Sequence, residues 1–181
     1  PSDFYLPIQS KTLNWHYRSE PEPHMHNRRL DCPRGRGMGG SSSINGMVYA
    51  RGNAGDFGRW AALGAQGWGY DDVLPYFKKA QGSRSGSRAE VARGFDGPLT
   101  TTDGVMANPL YTHFIEAAQQ AGYPYRADLN DGDQEGFGPL PMTVADGVRQ
   151  SSARAYLPKS RPNLRILKNS LVTKIAMTDG R

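Results

Sequence analysis

The spacing of apolar residues predicts two helices near the middle of the chain. Asn53 is suited to cap the first helix, because its side chain can accept a hydrogen bond from the first turn. The apolar residues of this helix share one face: Phe57, Trp60 and Ala61. The second helix is predicted over residues 71–81, DDVLPYFKKAQ, with Asp71 as its cap. Proline lacks the amide hydrogen that an inner helical turn uses, so we expect a kink or a break at Pro75.

Two further helices are indicated by the residues at their ends. A helix from Pro109 to Ala121 is expected because Asn108 can cap it, proline fits its first turn and Gly122 can end it. A shorter helix is expected from Ser151 to Leu157, with serine as its cap.

Three stretches have the composition of β-strands, namely residues 98–102, 164–167 and 171–177. Together with the helices they predict a mixed α+β fold. Residues 82–94, GSRSGSRAEVARG, contain few apolar side chains and predict an exposed loop.

Two polar stretches contain metal-ligating residue types, but their spacing does not support a metal site. His24 and His26 have no cysteine or carboxylate at a helpful spacing apart from Glu22 and Asp31, so a solvated loop is the better interpretation. Residues 128–138 carry four acids, yet the sixth and twelfth positions are not the glycine and glutamate of an EF-hand calcium loop. We therefore predict no metal site, and an acidic turn at 128–138.

Residues 33–46, PRGRGMGGSSSING, contain five glycines and three consecutive serines. Bare backbone amides, hydroxyls and the charges of Arg34 and Arg36 together favour a phosphate, or a cofactor that carries one. The glycine pattern is not the first turn of a Rossmann fold, because no buried strand precedes it. A flexible surface loop is the alternative. Against it, apolar residues follow directly from Ile44, whereas a linker would stay polar.

Composition excludes several other classes of function. The net charge is +5, without a block of like charges or a basic stripe, so we predict no nucleic-acid binding. The single cysteine, Cys32, cannot form a disulfide within the chain. No stretch approaches the roughly twenty apolar residues that span a membrane. The chain begins without methionine, and we expect it to be a fragment of a longer protein.

Residues 33–52, PRGRGMGGSSSINGMVYARG, together with DFGRW, resemble the first signature of the glucose–methanol–choline (GMC) oxidoreductases, flavoenzymes that oxidise alcohols. Further blocks look like those of the choline-oxidising members of this family and occur in the same order: LNWHYRSEPEP, GWGYDDVLPYFKKAQ, NPLYTHFIEAAQQAGYP, DLNDGDQEGFGPL and SSARAYLPKSRPNL. The resemblance covers nearly the whole chain and is weakest over residues 82–97. Around residues 157–160 the chain looks shorter than the family's loop.

The resemblance implies an α/β FAD-binding domain with an inserted substrate-binding domain, of which this chain is an incomplete part. Residues 1–64 would belong to the FAD-binding domain, with the flavin loop at 33–52. Residues 65–149 would belong to the substrate-binding or cap region, and residues 150–181 would return to the FAD-binding domain.

The resemblance also implies seven cofactor-binding positions. Those that line the flavin and its diphosphate are Ser41, Asn45, Gly46 and Val48. Those that let the cofactor approach the backbone closely are Gly39 and Gly40. The position whose backbone meets the adenine is Val172. Some family members bind flavin covalently through a histidine at the position of Ile44, so isoleucine implies non-covalent FAD.

The implied activity is oxidation of choline to betaine aldehyde, with hydride transfer to the flavin and electrons passed to a membrane acceptor such as a quinone. The family's catalytic histidine belongs to a motif that this chain lacks, so no catalytic residue is assigned. The full-length protein would associate peripherally with a membrane, either the mitochondrial inner membrane or a bacterial one, or lie in a bacterial cytoplasm. The alternatives are oxidation of another primary alcohol and a non-enzymatic, truncated module that binds an anion.

Overall fold

The computed structural model of the chain describes residues 5–86, 92–157 and 162–178. Its α-helices are α1 Tyr5–Gln9, α2 Ala54–Ala62, α3 Tyr70–Ala80, α4 Pro109–Gln120 and α5 Ser152–Tyr156. Short 3-10 helices cover Pro23–Met25 and Gly40–Ser43. The strands are β1 Tyr17–Arg18, β2 Asp31–Cys32, β3 Gln81–Ser83, β4 Leu99–Asp103, β5 Pro141–Met142, β6 Val144–Ala145 and β7 Val148–Arg149. This mixture confirms the predicted α+β fold class.

Helix α2 begins at the predicted cap, where the Asn53 side chain accepts a hydrogen bond from the amide of Gly55 at 2.8 Å. Its buried Phe57 packs its ring against Phe77 of α3, with centroids 5.7 Å apart and the planes at 65°. Aromatic pairs in this edge-to-face arrangement stabilise the contact beyond the area they bury. Phe57 therefore holds α2 and α3 together.

Helix α3 begins earlier than predicted and continues through Pro75. Its cap is Gly69, whose amide donates to the carboxylate of Asp72 at 3.0 Å. The helix is continuous across Pro75, so of the two expected outcomes, a kink or a break, the break is wrong. Pro75 and Asp71 both lie on the exposed side of α3, so the carbonyl left without an amide partner lies at the solvent surface.

Helices α4 and α5 follow their predicted end signals. The Asn108 side chain accepts from the amide of Leu110 at 3.0 Å, and Gly122 follows the helix with φ of +91°. The Ser151 side chain accepts from the amide of Arg154 at 3.3 Å at the start of α5. Local capping chemistry thus determines where both helices begin.

The exposed loop predicted at residues 82–94 is wrong for its described ends. Gly82 and Ser83 belong to β3, which pairs in parallel with β4 and is buried. Residues 92–94 are buried as well, while residues 87–91 lie outside the described structure. A Cβ atom on Gly94 would lie 1.9 Å from the carbonyl oxygen of Lys78, so glycine allows a backbone contact here. At Gly94 the absence of a side chain therefore reflects close backbone packing.

Strands β6 and β7 form a hairpin that the sequence analysis missed. Asp146 and Gly147 make its two-residue turn with φ of +52° and +70°. Positive φ at both positions is the geometry of the tight hairpin turn that an Asp-Gly pair favours. The hairpin directs the chain back toward residues 39–45.

The strands expected at 164–167 and 171–177 are absent from the described structure. Residues 162–178 form neither helix nor strand, and their apolar side chains are exposed. A strand is stable only when its amide and carbonyl groups pair with a neighbour. The described residues offer this segment no such partner. The shortened loop expected at 157–160 falls mostly outside the described residues.

Candidate functional site

The glycine- and serine-rich loop closes on itself through backbone contacts. A Cβ atom on Gly35 would lie 2.1 Å from the carbonyl oxygen of Gly40, so only glycine fits there. Gly39 and Gly40 have φ of +89° and +54° and begin the short 3-10 helix. The Ser41 hydroxyl accepts a hydrogen bond from the amide of Gly35 at 3.1 Å, which fixes the loop's two ends.

Two buried side chains anchor the loop to the protein. Ile44 is 4% exposed and Met47 is 2% exposed. The four positions predicted to line the flavin are exposed on either side of these anchors: Ser41, Asn45, Gly46 and Val48. Buried and exposed residues thus alternate along the loop, and the predicted positions lie on its exposed side. A flexible linker would have no such anchors.

The second half of the loop pairs with the segment that precedes the hairpin. The amide of Thr143 donates to the carbonyl of Met47 at 2.7 Å, and the amide of Tyr49 donates to that of Pro141 at 2.7 Å. Val48 forms a β-bridge with Met142. These contacts fix the position of Val48 relative to the small sheet.

Arg149, at the end of β7, binds the loop at three oxygen atoms. Its Nη1 donates to the carbonyl of Asn45 at 2.6 Å, to Oδ1 of Asn45 at 2.9 Å and to the carbonyl of Ser42 at 3.3 Å. The amide of Met47 donates to the same Oδ1 at 3.1 Å. Sequence analysis did not identify Arg149. The available signal was the Asp146-Gly147 turn, which predicts a hairpin that ends near Arg149.

The start of α5 docks on the same loop. The amide of Ser152 donates to the Ser42 hydroxyl at 2.9 Å, and the two hydroxyls are 3.0 Å apart. The Ser152 hydroxyl also donates to the carbonyl of Gly39 at 3.2 Å. Residues more than a hundred positions apart thus hold the loop's 3-10 helix in place.

The loop leaves open space where a bound molecule would need it. A Cβ atom on Gly40 or Gly46 would have no neighbour within 4 Å among the described residues. Gly46 does not have the positive φ that requires glycine. Nothing in the described packing therefore explains why Gly46 has no side chain.

Val172 lies across a groove from the first half of the loop. The groove has a volume of about 840 Å³, within the range of small-molecule sites. Residues 35–38 line one side, residues 167–172 line the other, and Trp15 lies in the wall. The Arg36 guanidinium lies 4.8 Å from the centre of the Trp15 ring. The structure therefore brings Val172 near the loop, although not onto the face that carries Asn45.

The end of the loop is held by residues of the predicted acidic turn. Asn130 accepts from the amide of Arg51 at 2.8 Å and donates to the carbonyl of Tyr49 at 3.1 Å. Gln134 donates to the carbonyl of Arg51 at 2.8 Å. The stretch at 128–134 is thus a structural brace for the loop. No group of three histidine, cysteine, aspartate or glutamate residues suited to a metal occurs in the described ranges.

A buried ion-pair cluster supports this brace. Arg93, with 4% of its side chain exposed, pairs with Asp128 at 2.6 Å and Asp103 at 3.0 Å. Burial alone lowers the pKa of the Arg93 guanidinium, but hydrogen bonds and charges from Asp128 and Asp103 outweigh it, so the pKa is raised. Arg93 therefore stays charged and holds the 128–134 stretch against β4.

Proteins of known sequence and structure resemble most or all of the chain. An oxygen-dependent choline dehydrogenase of Rhizobium etli (strain CIAT 652) is 50% identical over 183 residues, which cover 100% of this chain and 33% of that protein. Pyridoxine 4-oxidase from Mesorbium loti superposes with a TM-score of 0.78 at 32% identity, over 88% of this chain and 33% of its own. An FAD-dependent oxidoreductase from Chaetomium thermophilum superposes with a TM-score of 0.74 at 27% identity. The match covers 83% of this chain and 28% of that chain.

The chain spans about a third of the length of the curated relatives it matches. No helix among the described residues is long and apolar enough to cross a membrane. The family model described as GMC oxidoreductase matches residues 19–181. The chain belongs to the GMC oxidoreductase family.

Proposed function

We propose that the protein carrying this chain is an FAD-dependent alcohol oxidoreductase and that the loop at 33–52 forms part of its FAD site. The observation that carries the proposal is that buried and exposed residues alternate along the loop. Ile44 and Met47 are buried, while Ser41, Asn45, Gly46 and Val48 form an exposed face with open space over Gly46. Such a face suits a flat cofactor that meets backbone and polar groups at close range.

The loop residues would bind and orient the cofactor rather than perform chemistry on the substrate. The Ser41 hydroxyl accepts from Gly35 and retains its own hydrogen for a phosphate or flavin oxygen. The glycines at 39, 40 and 46 would let the cofactor approach the backbone. FAD, when bound, supplies the site that takes the hydride from the alcohol carbon. We assign no catalytic base to this chain.

We propose that FAD is held without a covalent bond. Isoleucine at position 44 has no atom able to form such a bond, and its side chain is buried away from the exposed face. Val172 would contribute backbone contacts from the far side of the groove. The division into residues 1–64, 65–149 and 150–181 remains our proposal for how the chain contributes to the FAD-binding and substrate-binding domains.

For the substrate we propose choline, oxidised to betaine aldehyde, because the relative at 50% identity is named as a choline dehydrogenase. We propose a membrane quinone as the electron acceptor, reached by peripheral association of the full-length protein. The name of the relative describes that protein as oxygen-dependent, so reoxidation should be measured with dioxygen and with a soluble quinone in parallel.

The experiment uses the purified protein that carries this chain. Flavin released into the filtrate after denaturation would support non-covalent FAD. Under anaerobic conditions choline should bleach the flavin absorbance. Its neutral isostere 3,3-dimethylbutan-1-ol should do so much more slowly, because it lacks the cation. Equal rates would instead favour a general primary-alcohol oxidoreductase. Absence of flavin binding would contradict the proposal and favour the non-enzymatic module.

A further inference from the structure

We infer that Arg149 is a positioning residue that fixes the side-chain amide of Asn45, so that Nδ2 of Asn45 is presented to an acceptor atom of the bound cofactor. The inference rests on the proposed FAD site and deepens it. It assigns a direction to the hydrogen bond at Asn45 and a role to an arginine about a hundred residues away in the chain.

The chemistry of the donors determines the orientation of the Asn45 amide. Arginine Nη1 and a backbone amide can only donate hydrogen bonds. Both lie at one end of the Asn45 side chain, Arg149 at 2.9 Å and the amide of Met47 at 3.1 Å. The atom they contact must therefore be the oxygen, and the other terminal atom must be the NH₂ group.

The NH₂ group of Asn45 is left available on the exposed face of the loop. Nδ2 has no hydrogen-bond partner among the described residues, and Asn45 lies between exposed neighbours. A donor in this position fits an oxygen or an unprotonated ring nitrogen of the cofactor. It does not fit a group that must itself donate.

Arg149 is suited to this role because it is itself held by several oxygens. Its Nη1 also binds the backbone carbonyls of Asn45 at 2.6 Å and of Ser42 at 3.3 Å. Arg149 lies at the end of β7, next to the serines through which the start of α5 docks on the loop. The hairpin and α5 therefore determine the position of the Arg149 guanidinium, and this guanidinium orients the side-chain amide of Asn45.

The test measures the dissociation constant of FAD from the apoprotein by flavin fluorescence. Asn45→Asp is the sharpest variant, because a carboxylate still accepts from Arg149 and Met47 but offers no donor. We expect Asn45→Asp and Asn45→Ala each to raise the FAD dissociation constant by about tenfold or more, the scale of one lost hydrogen bond. Wild-type affinity in Asn45→Asp would overturn the inference.

A double-mutant cycle tests whether Arg149 acts through Asn45. Arg149→Met should raise the dissociation constant about tenfold in the native background, and clearly less when Asn45 is already alanine. If Arg149→Met raised the FAD dissociation constant by the same factor with Asn45 and with Asn45→Ala, the positioning role would be overturned. Arg149→Lys should restore part of the affinity because it keeps the charge. Should Arg149→Met fail to fold, the lysine variant completes the cycle in its place.

Arg84→Met is the matched control. Arg84 lies in an exposed ion pair with Asp146 of the same hairpin at 2.7 Å and does not touch the loop at 39–45. We expect it to leave FAD affinity unchanged. A wild-type protein that binds no FAD would contradict the proposed function itself. A wild-type protein that binds FAD, with variants of equal affinity, would contradict only the role of Arg149.

Discussion

Arg93 and Asp128, 35 residues apart in the chain, form an ion pair at 2.6 Å with 4% and 12% of their side chains exposed. Arg93 also contacts Ser83 of β3, so the pair connects β3 with the stretch at 128–134 that braces the loop at 33–52. Asp128 also accepts a hydrogen bond from the amide of Asn130 at 2.9 Å. The geometry of the candidate site therefore depends on a buried charge cluster outside it.

Removing the charge of Asp128 should destabilise the protein strongly. We expect Asp128→Asn to lower the free energy of unfolding by about 3 kcal/mol, because it leaves a buried guanidinium with reduced compensation. Urea denaturation measures this value. The control is Asp146→Asn, which removes an exposed ion pair and should cost less than about 1 kcal/mol. Equal effects of the two variants would show that the buried pair has no special role.

Asn130 should stabilise the loop, because its side chain bonds two backbone groups near residue 50. Asn130→Ala removes hydrogen bonds to the amide of Arg51, which is buried, and to the carbonyl of Tyr49, which is part-buried. We expect a loss of about 2 kcal/mol in unfolding free energy. Backbone amides near residue 50 should also exchange with deuterium faster. Asn163→Ala, at an exposed position, is the control, and similar exchange rates in both variants would contradict the brace.

Stability should fall at high pH partly because of Tyr156. Partial burial of the half-exposed Tyr156 raises the pKa of its hydroxyl above the ordinary value of 10.0, and the neighbouring Tyr49 raises it further. Above that ordinary value the unfolded chain releases its proton first, so the unfolding free energy decreases as pH rises toward the folded-state pKa. Tyr156→Phe should reduce the decrease measured by urea denaturation between about pH 9 and about pH 11. An unchanged pH dependence would contradict this.

Local chemistry in the sequence predicted the helices well. Asn53, Asn108 and Ser151 cap helices as expected, since a cap depends only on residues within one turn. The expected break at Pro75 failed because a helix can tolerate one unpaired carbonyl at the solvent surface. The predicted cap of α3, Asp71, was two residues late, because Gly69 takes that position and Asp72 accepts from its amide.

Long-range pairing was not predictable from the same patterns. Arg93 lies in a polar stretch that looked exposed, yet its partners come from residues 10 and 35 positions away. The strands expected at 164–167 and 171–177 need a partner that local sequence does not reveal. The resemblance predicted roles for Ser41, Asn45 and Val48, which the structure shows as exposed residues of the loop. Arg149 and Ser152, which hold that loop from a distance, went unnoticed.

The space over Gly46 offers the most direct test of the proposed FAD site. Gly40 is less suitable, because its φ of +54° would strain any side chain. Gly35 is unsuitable as well, because a Cβ atom there would meet the backbone of Gly40 at 2.1 Å and disturb the loop itself. Gly46 has neither problem, so a side chain there should affect a ligand more than the apoprotein.

The decisive measurement is therefore the FAD dissociation constant of Gly46→Val apoprotein, compared with wild type by fluorescence titration. We predict an increase of at least about a hundredfold, with a melting temperature of the apoprotein close to that of wild type. Gly35→Ala should instead lower the melting temperature of the apoprotein. Wild-type FAD affinity in Gly46→Val would contradict the assignment of the loop as the cofactor site.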